Sequence, residues 1–291
     1  MTPEVFVEVL INGIAIGSVY ALFALGLALI FGVLEFVNFA HGEFYMIGAM
    51  LISAIMIGTG VNYWLALPVV VMASLVAGVV LYDVFWRRLR QGDYEKSILI
   101  TIGIALILQN GALYVWGPTP RLLETGFTTS VIVLGDLVIP VARIVAMSIS
   151  FTVLLLVYLG LNKTRGGLAL RGVAQNRAAA TMVGIQLHKI SRVAVGVGIG
   201  LCGLSGGVLA LIYTIFPTMG YILAFKAFAI VIIGGLGSLA GAIIVGFTLG
   251  IVESFATLYM SSGSMNMLVF GAMIAVLLFR PLGLFGRQLR L

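Results

Sequence analysis

Charge is the scarcest commodity in this sequence. Only 9% of its 291 residues are Asp, Glu, Lys or Arg, against about 25% in an ordinary soluble domain. Apolar residues make up 62% of the chain and the mean hydropathy is +1.20. A single soluble chain of this length has no interior large enough for that much apolar surface, and the lipid bilayer is its natural solvent. Cysteine is almost missing. Cys202, within "GIGLCGLSGG", is the only one, so an internal disulfide is excluded and the residue reads as a small packing group. His41 and His188 are the only histidines, which leaves no His/Cys metal cluster. No G-x-x-x-x-G-K-[ST] phosphate loop occurs, and "GLSGG" at 203–207 reads as helix packing rather than a nucleophile elbow. Enzymatic chemistry has no footing on such a chain.

A basic start is missing too. "MTPEVFVEVLINGIAIG" carries Glu4 and Glu8 and continues uncharged over 9–34. A cleaved signal peptide has a positive start and a shorter apolar core, so the segment is read as a retained transmembrane helix.

What the chain does contain is a series of uncharged runs at 9–34, 44–60, 64–82, 97–116, 144–161, 193–216, 227–252 and 254–279. Most have the ~17–25 residues that a spanning helix needs. The stretch 221–260 is too long for one crossing: as one helix it would measure roughly 60 Å at ~1.5 Å per residue, twice the ~30 Å hydrocarbon core. "GGLGSLAG" at 234–241 lies in its middle, and glycine is a weak helix former. Two short or tilted crossings joined by a break are expected there, and another break between 34 and 44. The fold class is an all-α polytopic membrane protein with eight or nine crossings, nine if every break reaches an interface. The 37 glycines fit helices packed closely through small side chains.

Thirteen of the 16 basic residues fall on three segments: Arg87, Arg88, Arg90 and Lys96; Lys163, Arg165, Arg171, Arg177, Lys189 and Arg192; and Arg280, Arg287 and Arg290. These segments alternate correctly to share one side, which the positive-inside rule makes cytoplasmic. The loop 117–142 holds Arg121, Glu124 and Asp136 and belongs outside, as does the N-terminus, while the C-terminus lies inside. Within that loop "TSVIVLGDLVIP" reads as a β-hairpin with a Gly-Asp turn.

Three places could carry function. The loop 162–192 has six positive charges and no acid, far more than a connection needs. Ala178 to Ile185 favours a helix ending at Gly184, with Ala179, Met182 and Val183 on one face. "VLEFVNFAHGEF" groups Glu35, Asn38, His41 and Glu43 in an otherwise greasy stretch. Ionisable groups inside a membrane are costly and usually face a bundle interior or a watery cavity. The cluster is either a break near the cytoplasmic side or a buried break lining a path. The plainer alternative is a tight interfacial turn in which Asn38 caps the next helix and His41 bonds to backbone; in the gate reading, Gly42 lets the backbone turn where a side chain could not. Gly234, Gly235, Gly237 and Ser238 form the other break, which could border a transport path or simply pack helices. Lys226 is expected to snorkel to the outer interface, and Glu253 to pair or cap locally.

"AAATMVG" at 178–184 resembles a degenerate EAA-xxx-G coupling motif of ABC-importer permeases, with Ala178 where that motif has Glu. "YALFALGLALIFGVLEFVNFAHGEFYMIGA", "RGVAQNRAAATMVGI", "AFAIVIIGGLGSLAGAIIVG" and the terminal "RPLGLFG" together resemble the LivH-type permeases of branched-chain amino acid ABC importers, over nearly the whole chain. The resemblance implies a fold similar to ribose-type permeases, a single permease domain over 1–291 and a place in the bacterial inner membrane. It implies a second related permease, two cytoplasmic ATPase subunits that bind the ATP, and a periplasmic binding protein. No cofactor on this chain and no nucleic acid are expected. Asn176, Arg177, Ala179, Ala180, Met182, Gly184 and Ile185 would couple to the ATPase. Asn38, His41, Glu43, Gly234, Gly235, Gly237 and Ser238 would line or gate the path. The substrate stays open among branched-chain and other hydrophobic amino acids, amides and urea. An ion-coupled secondary transporter using Glu35, His41, Glu43 or Glu253, and a scaffold subunit, are the other two readings.

Overall fold

The computed structural model describes residues 2–89 and 93–286; Arg90, Arg287 and Arg290 lie outside them. Among the described residues the chain forms twelve α-helices and one small hairpin: α1 Pro3–Leu34, α2 His41–Thr59, α3 Tyr63–Val84, α4 Tyr94–Trp116, α5 Gly126–Thr129, β1 Val131–Leu134, β2 Leu137–Pro140, α6 Val141–Lys163, α7 Arg165–Gln175, α8 Arg177–Met182, α9 Leu187–Leu209, α10 Met219–Gly234, α11 Leu239–Ala256 and α12 Ser262–Phe279. Seven are long and apolar enough to cross a membrane, and α10 and α12 are shorter apolar helices. The protein is therefore an all-α, multi-pass membrane protein.

The helix ends follow local chemistry. Thr2 caps α1 with Pro3 in its first turn, and Asn62 caps α3 by accepting from Leu65 N at 3.0 Å. Such caps satisfy backbone donors that would otherwise have no partner. The expected hairpin is present, with β1 and β2 antiparallel, Leu134 opposite Leu137, and Gly135 at φ +66° in the two-residue turn. Glu8 ties it to α1 by accepting from Val138 N at 2.8 Å.

The core is α1 packed against α11 and α9, with α2 packed on α9 and α10. Small residues let the backbones approach. Gly13 and Gly17 of α1 face Gly250 and Phe247 of α11, and Gly246 faces Ala21, so the two helices run antiparallel. Gly26 of α1 meets Gly198 of α9, and Gly203 of α9 meets Ser74 of α3. In hydrocarbon no hydrophobic force pushes helices together, and close van der Waals packing of small residues takes its place. Cys202 is fully buried in this seam, the packing role expected of it. The helices α3, α4 and α6 bury far less of themselves and form the periphery.

The basic segments gather at one end of the bundle. Arg192 pairs with Asp83 at 2.9 Å, the Tyr82 hydroxyl meets His188 Nδ1 at 3.1 Å, and Phe36 stacks on Trp86. The hairpin and the connection 210–218 occupy the other end, where Ile215 pairs backbone to backbone with Arg121 of the loop before the hairpin.

Candidate functional site

The first break is buried. α1 stops at Glu35, which takes the left-handed conformation at φ +61° and donates its N–H to Phe31 O. The following residues climb back into the bundle instead of leaving it. His41, the first residue of α2, has its Nε2 3.0 Å from the Phe23 carbonyl oxygen. Phe23 lies eleven residues before the end of α1, about 16 Å along the axis at ~1.5 Å per residue. Asn38 and His41 are fully buried and Glu43 nearly so. Of the two positions open to this cluster, the buried break is the one observed.

A carbonyl oxygen can only accept, so His41 Nε2 carries a proton. Cys202 Sγ lies against the imidazole, 3.1 Å from Nδ1 and 3.0 Å from Nε2. The Phe23 ring covers the imidazole at 4.7 Å. Hydrogen bonding to backbone is thus what His41 does, as the plainer alternative held. Two other expectations, the Asn38 cap of the plainer alternative and the Gly42 turn of the gate reading, are corrected. Asn38 does not cap α2: its Oδ1 accepts from Ala40 N at 3.1 Å, and Ala40 is the N-cap residue without a side-chain bond. Gly42 does not turn the chain. It sits inside α2, and a Cβ there would lie 2.1 Å from Gly220 O on α10. Close approach of two backbones demands the glycine, while the positive φ falls on Glu35. Asn38 Nδ2 and Glu43 Oε2 are buried without a hydrogen-bond partner.

The second break has different chemistry. α10 ends at Gly234, Gly235 and Gly237 take φ +100° and +79°, and Ser238 caps α11 by accepting from Gly241 N at 3.1 Å. Gly234 and Gly241 pack backbone to backbone. The terminal "RPLGLFG" closes this turn: Leu284 N donates to Ile233 O at 2.8 Å and Phe285 N to Gly234 O at 3.2 Å. Gly237 lies against Gly32 of α1, at the basic end. The expected pair of short crossings is therefore α10 and α11. The seven residues read together as a path or gate fall in two places: Asn38, His41 and Glu43 around the start of α2, the other four at the end of α10.

Lys226 corrects an expectation. It is buried, not at an interface: only 7% of its surface is exposed. Its ammonium donates to Glu253 of α11 and, at 3.1 Å, to the Tyr20 hydroxyl of α1, and lies 5.4 Å from the Tyr20 ring centroid. A charge in this interior needs a partner, and the pair ties three helices. In the sequence Lys226 and Glu253 stood 27 positions apart as two unrelated charges, and only the reversal at 235–238 makes them neighbours.

At the basic end α7 and α8 form a short elbow. Asn176 caps α8 by accepting from Ala179 N at 2.9 Å, and Gly184 at φ +83° ends it. Ala180 packs into a cluster with Leu29, Val33, Leu170, Val173 and Ala194, with Ile185 at its edge. Ala179 is exposed, and Met182 and Val183 are 86% and 76% exposed. The stub is anchored by one face and presents the other, the face expected from the spacing.

The model of the branched-chain amino acid transport system permease component matches residues 9–278. The chain is 29% identical to the high-affinity branched-chain amino acid transport system permease protein BraD of Pseudomonas aeruginosa, over 98% of both chains. It is 30% identical to LivH of Escherichia coli K12, covering 97% of this chain and 96% of that one. A probable branched-chain amino acid transport permease protein LivH of Methanocaldococcus jannaschii is 31% identical over 96% of this chain and 92% of its own length. No solved structure matches the chain. With a family match over nearly its whole length, and with the bundle, breaks and elbow described above, the chain belongs to the permease components of branched-chain amino acid transport systems.

Proposed function

We propose that this chain is the membrane-spanning subunit of an ATP-driven importer for branched-chain or other hydrophobic amino acids. A second, related permease would complete the conduit. Two ATPase subunits would hydrolyse ATP at the basic end, which is then cytoplasmic, and a binding protein would deliver substrate to the hairpin end. The protein would sit in the bacterial inner membrane, N-terminus outside and C-terminus inside, with 117–142 as an outer loop and 162–192 as the coupling loop.

The observation that carries this reading is the elbow. A six-residue helix that buries Ala180 and holds Met182 and Val183 out in solvent has no reason in the packing of this chain, but suits insertion into a groove of a partner. Met182→Glu would place a charge in that contact without touching the Ala180 anchor. Proteoliposomes carrying the assembled transporter should then lose uptake and substrate-stimulated ATP hydrolysis at normal membrane insertion, because a buried unpaired charge is costly. Stimulation equal to wild type would sink the docking assignment. In the same preparation, the gate reading of Asn38, His41 and Glu43 expects His41→Ala to raise ATP hydrolysis uncoupled from uptake, and His41→Gln to be milder.

A further inference from the structure

A cavity of about 230 Å³ lies at the basic end, walled by Leu34, Phe36 and Leu187 on its apolar side and by Trp86 and Arg177 on its polar side. At ~30 Å³ per water it has room for about seven waters. It adjoins the first break through Phe36 and the elbow through Arg177, and lies between the end of α3, the start of α4 and the elbow. Its donors are unmet. Trp86 is 5% exposed, yet its indole Nε1–H has no partner. Buried Trp N–H groups normally find an acceptor, and an orphaned one calls for an explanation. Arg177 Nε is likewise buried without a partner. Two of the lining acceptors are engaged: Asp93 is bound by Lys96 at 3.1 Å, and His188 Nδ1 meets the Tyr82 hydroxyl at 3.1 Å. Phe36 stacked on Trp86 at 5.5 Å fixes the indole plane.

We infer that this cavity is a binding site for a small oxyanion bearing an apolar body, the oxyanion held by Trp86 Nε1–H and the Arg177 guanidinium, the body lying against Leu34, Phe36 and Leu187. The oxyanion is a carboxylate if the ligand comes from solution and a phosphate if it is a lipid headgroup. Arg177 is the first residue of α8, so occupancy fastens the elbow to the end of α3 and gives the ligand a direct hold on the surface offered to a partner.

The test uses the full chain labelled with 5-fluorotryptophan in nanodiscs. The three ¹⁹F resonances of Trp64, Trp86 and Trp116 are assigned through Trp64→Phe and Trp116→Phe, leaving Trp86 intact. One arm titrates L-leucine into phosphatidylcholine nanodiscs, and the other replaces part of the phosphatidylcholine by phosphatidylglycerol. A saturable shift of the Trp86 resonance alone in the first arm identifies a solute site, and in the second a headgroup site. In whichever arm responds, Arg177→Ala should raise the half-saturating concentration at least tenfold. A Trp86 resonance that stays put in both arms, or moves equally in the Arg177→Ala protein, overturns the inference. The readout is local to the indole, so it stands or falls independently of any loss of transport.

Discussion

The two breaks in this bundle solve the same problem by opposite means. Where a helix stops at membrane depth, freed backbone groups must be satisfied. At 35–41 side chains share the task. Asn38 accepts from Ala40 N and Glu35 bears the positive φ, while His41 anchors the break to the body of α1 through the Phe23 carbonyl. At 234–241 glycine backbones take the strained conformations, Ser238 caps the next helix, and the chain's last described residues donate to the open carbonyls. The first break is polar and deep, and it keeps buried polar atoms without partners. The second is compact, lies at the bundle end, and its legs are riveted by Lys226 and Glu253. A break built from polar side chains can change partners. A break built from glycine backbones packed on one another cannot move without unpacking. That contrast makes the second break a rigid hinge between α10 and α11.

The comparison can be broken most severely at the rivet. Lys226→Met leaves Glu253 as an uncompensated buried charge, and removing one partner of a buried pair costs about 3–5 kcal/mol. Folded yield in detergent should collapse, and Lys226→Met with Glu253→Leu should recover most of it. Equal yields for the single and double variants would show that the pair is not what joins α10 to α11. Next comes Gly42→Ala, whose methyl would sit 2.1 Å from Gly220 O. Overpacking of this kind costs about 1–3 kcal/mol or more, so thermal unfolding should shift sharply downward. Gly103→Ala, with open space around it, is the control and should leave the midpoint unchanged or slightly raised.

Gly235→Ala tests the rigid break. At φ +100° a side chain brings strain of order 1–3 kcal/mol, and Ser238→Ala should cost less, about 1 kcal/mol for a lost cap. Hydrogen exchange of the 235–241 amides should quicken in that order, and no change in either would remove the hinge argument. The smallest effect belongs to Glu35→Gly. Glu35 is exposed and left-handed, and relieving that conformation is worth about 1 kcal/mol. The melting midpoint should rise slightly; a fall would mean that the carboxylate itself matters.

Much of the fold was legible beforehand because its determinants are local. Uncharged runs of spanning length, the alternation of basic loops, the Gly-Asp hairpin turn and a short helix ending at Gly184 depend on residues near one another in the chain. So did the division of 221–260 into two helices, which a length argument requires. The site is less legible. Local pattern makes Gly42 a turn residue and Lys226 an interfacial one, because the contacts that decide them, Gly220 and Glu253, are far away in sequence.

What the sequence determined by itself is the solvent, the number of apolar segments and the end of the bundle that collects basic charge, since hydropathy and charge are summed over neighbours. The tertiary structure alone decided the depth of the break at 35–41, the burial of Lys226 against Glu253 and Tyr20, the sealing of "GGLGSLAG" by "RPLGLFG", and the cavity beside Trp86. Each depends on which helix faces lie together. In a bundle held by close packing of small residues, that choice is made by the shape of every neighbour at once, and no single stretch of chain records it.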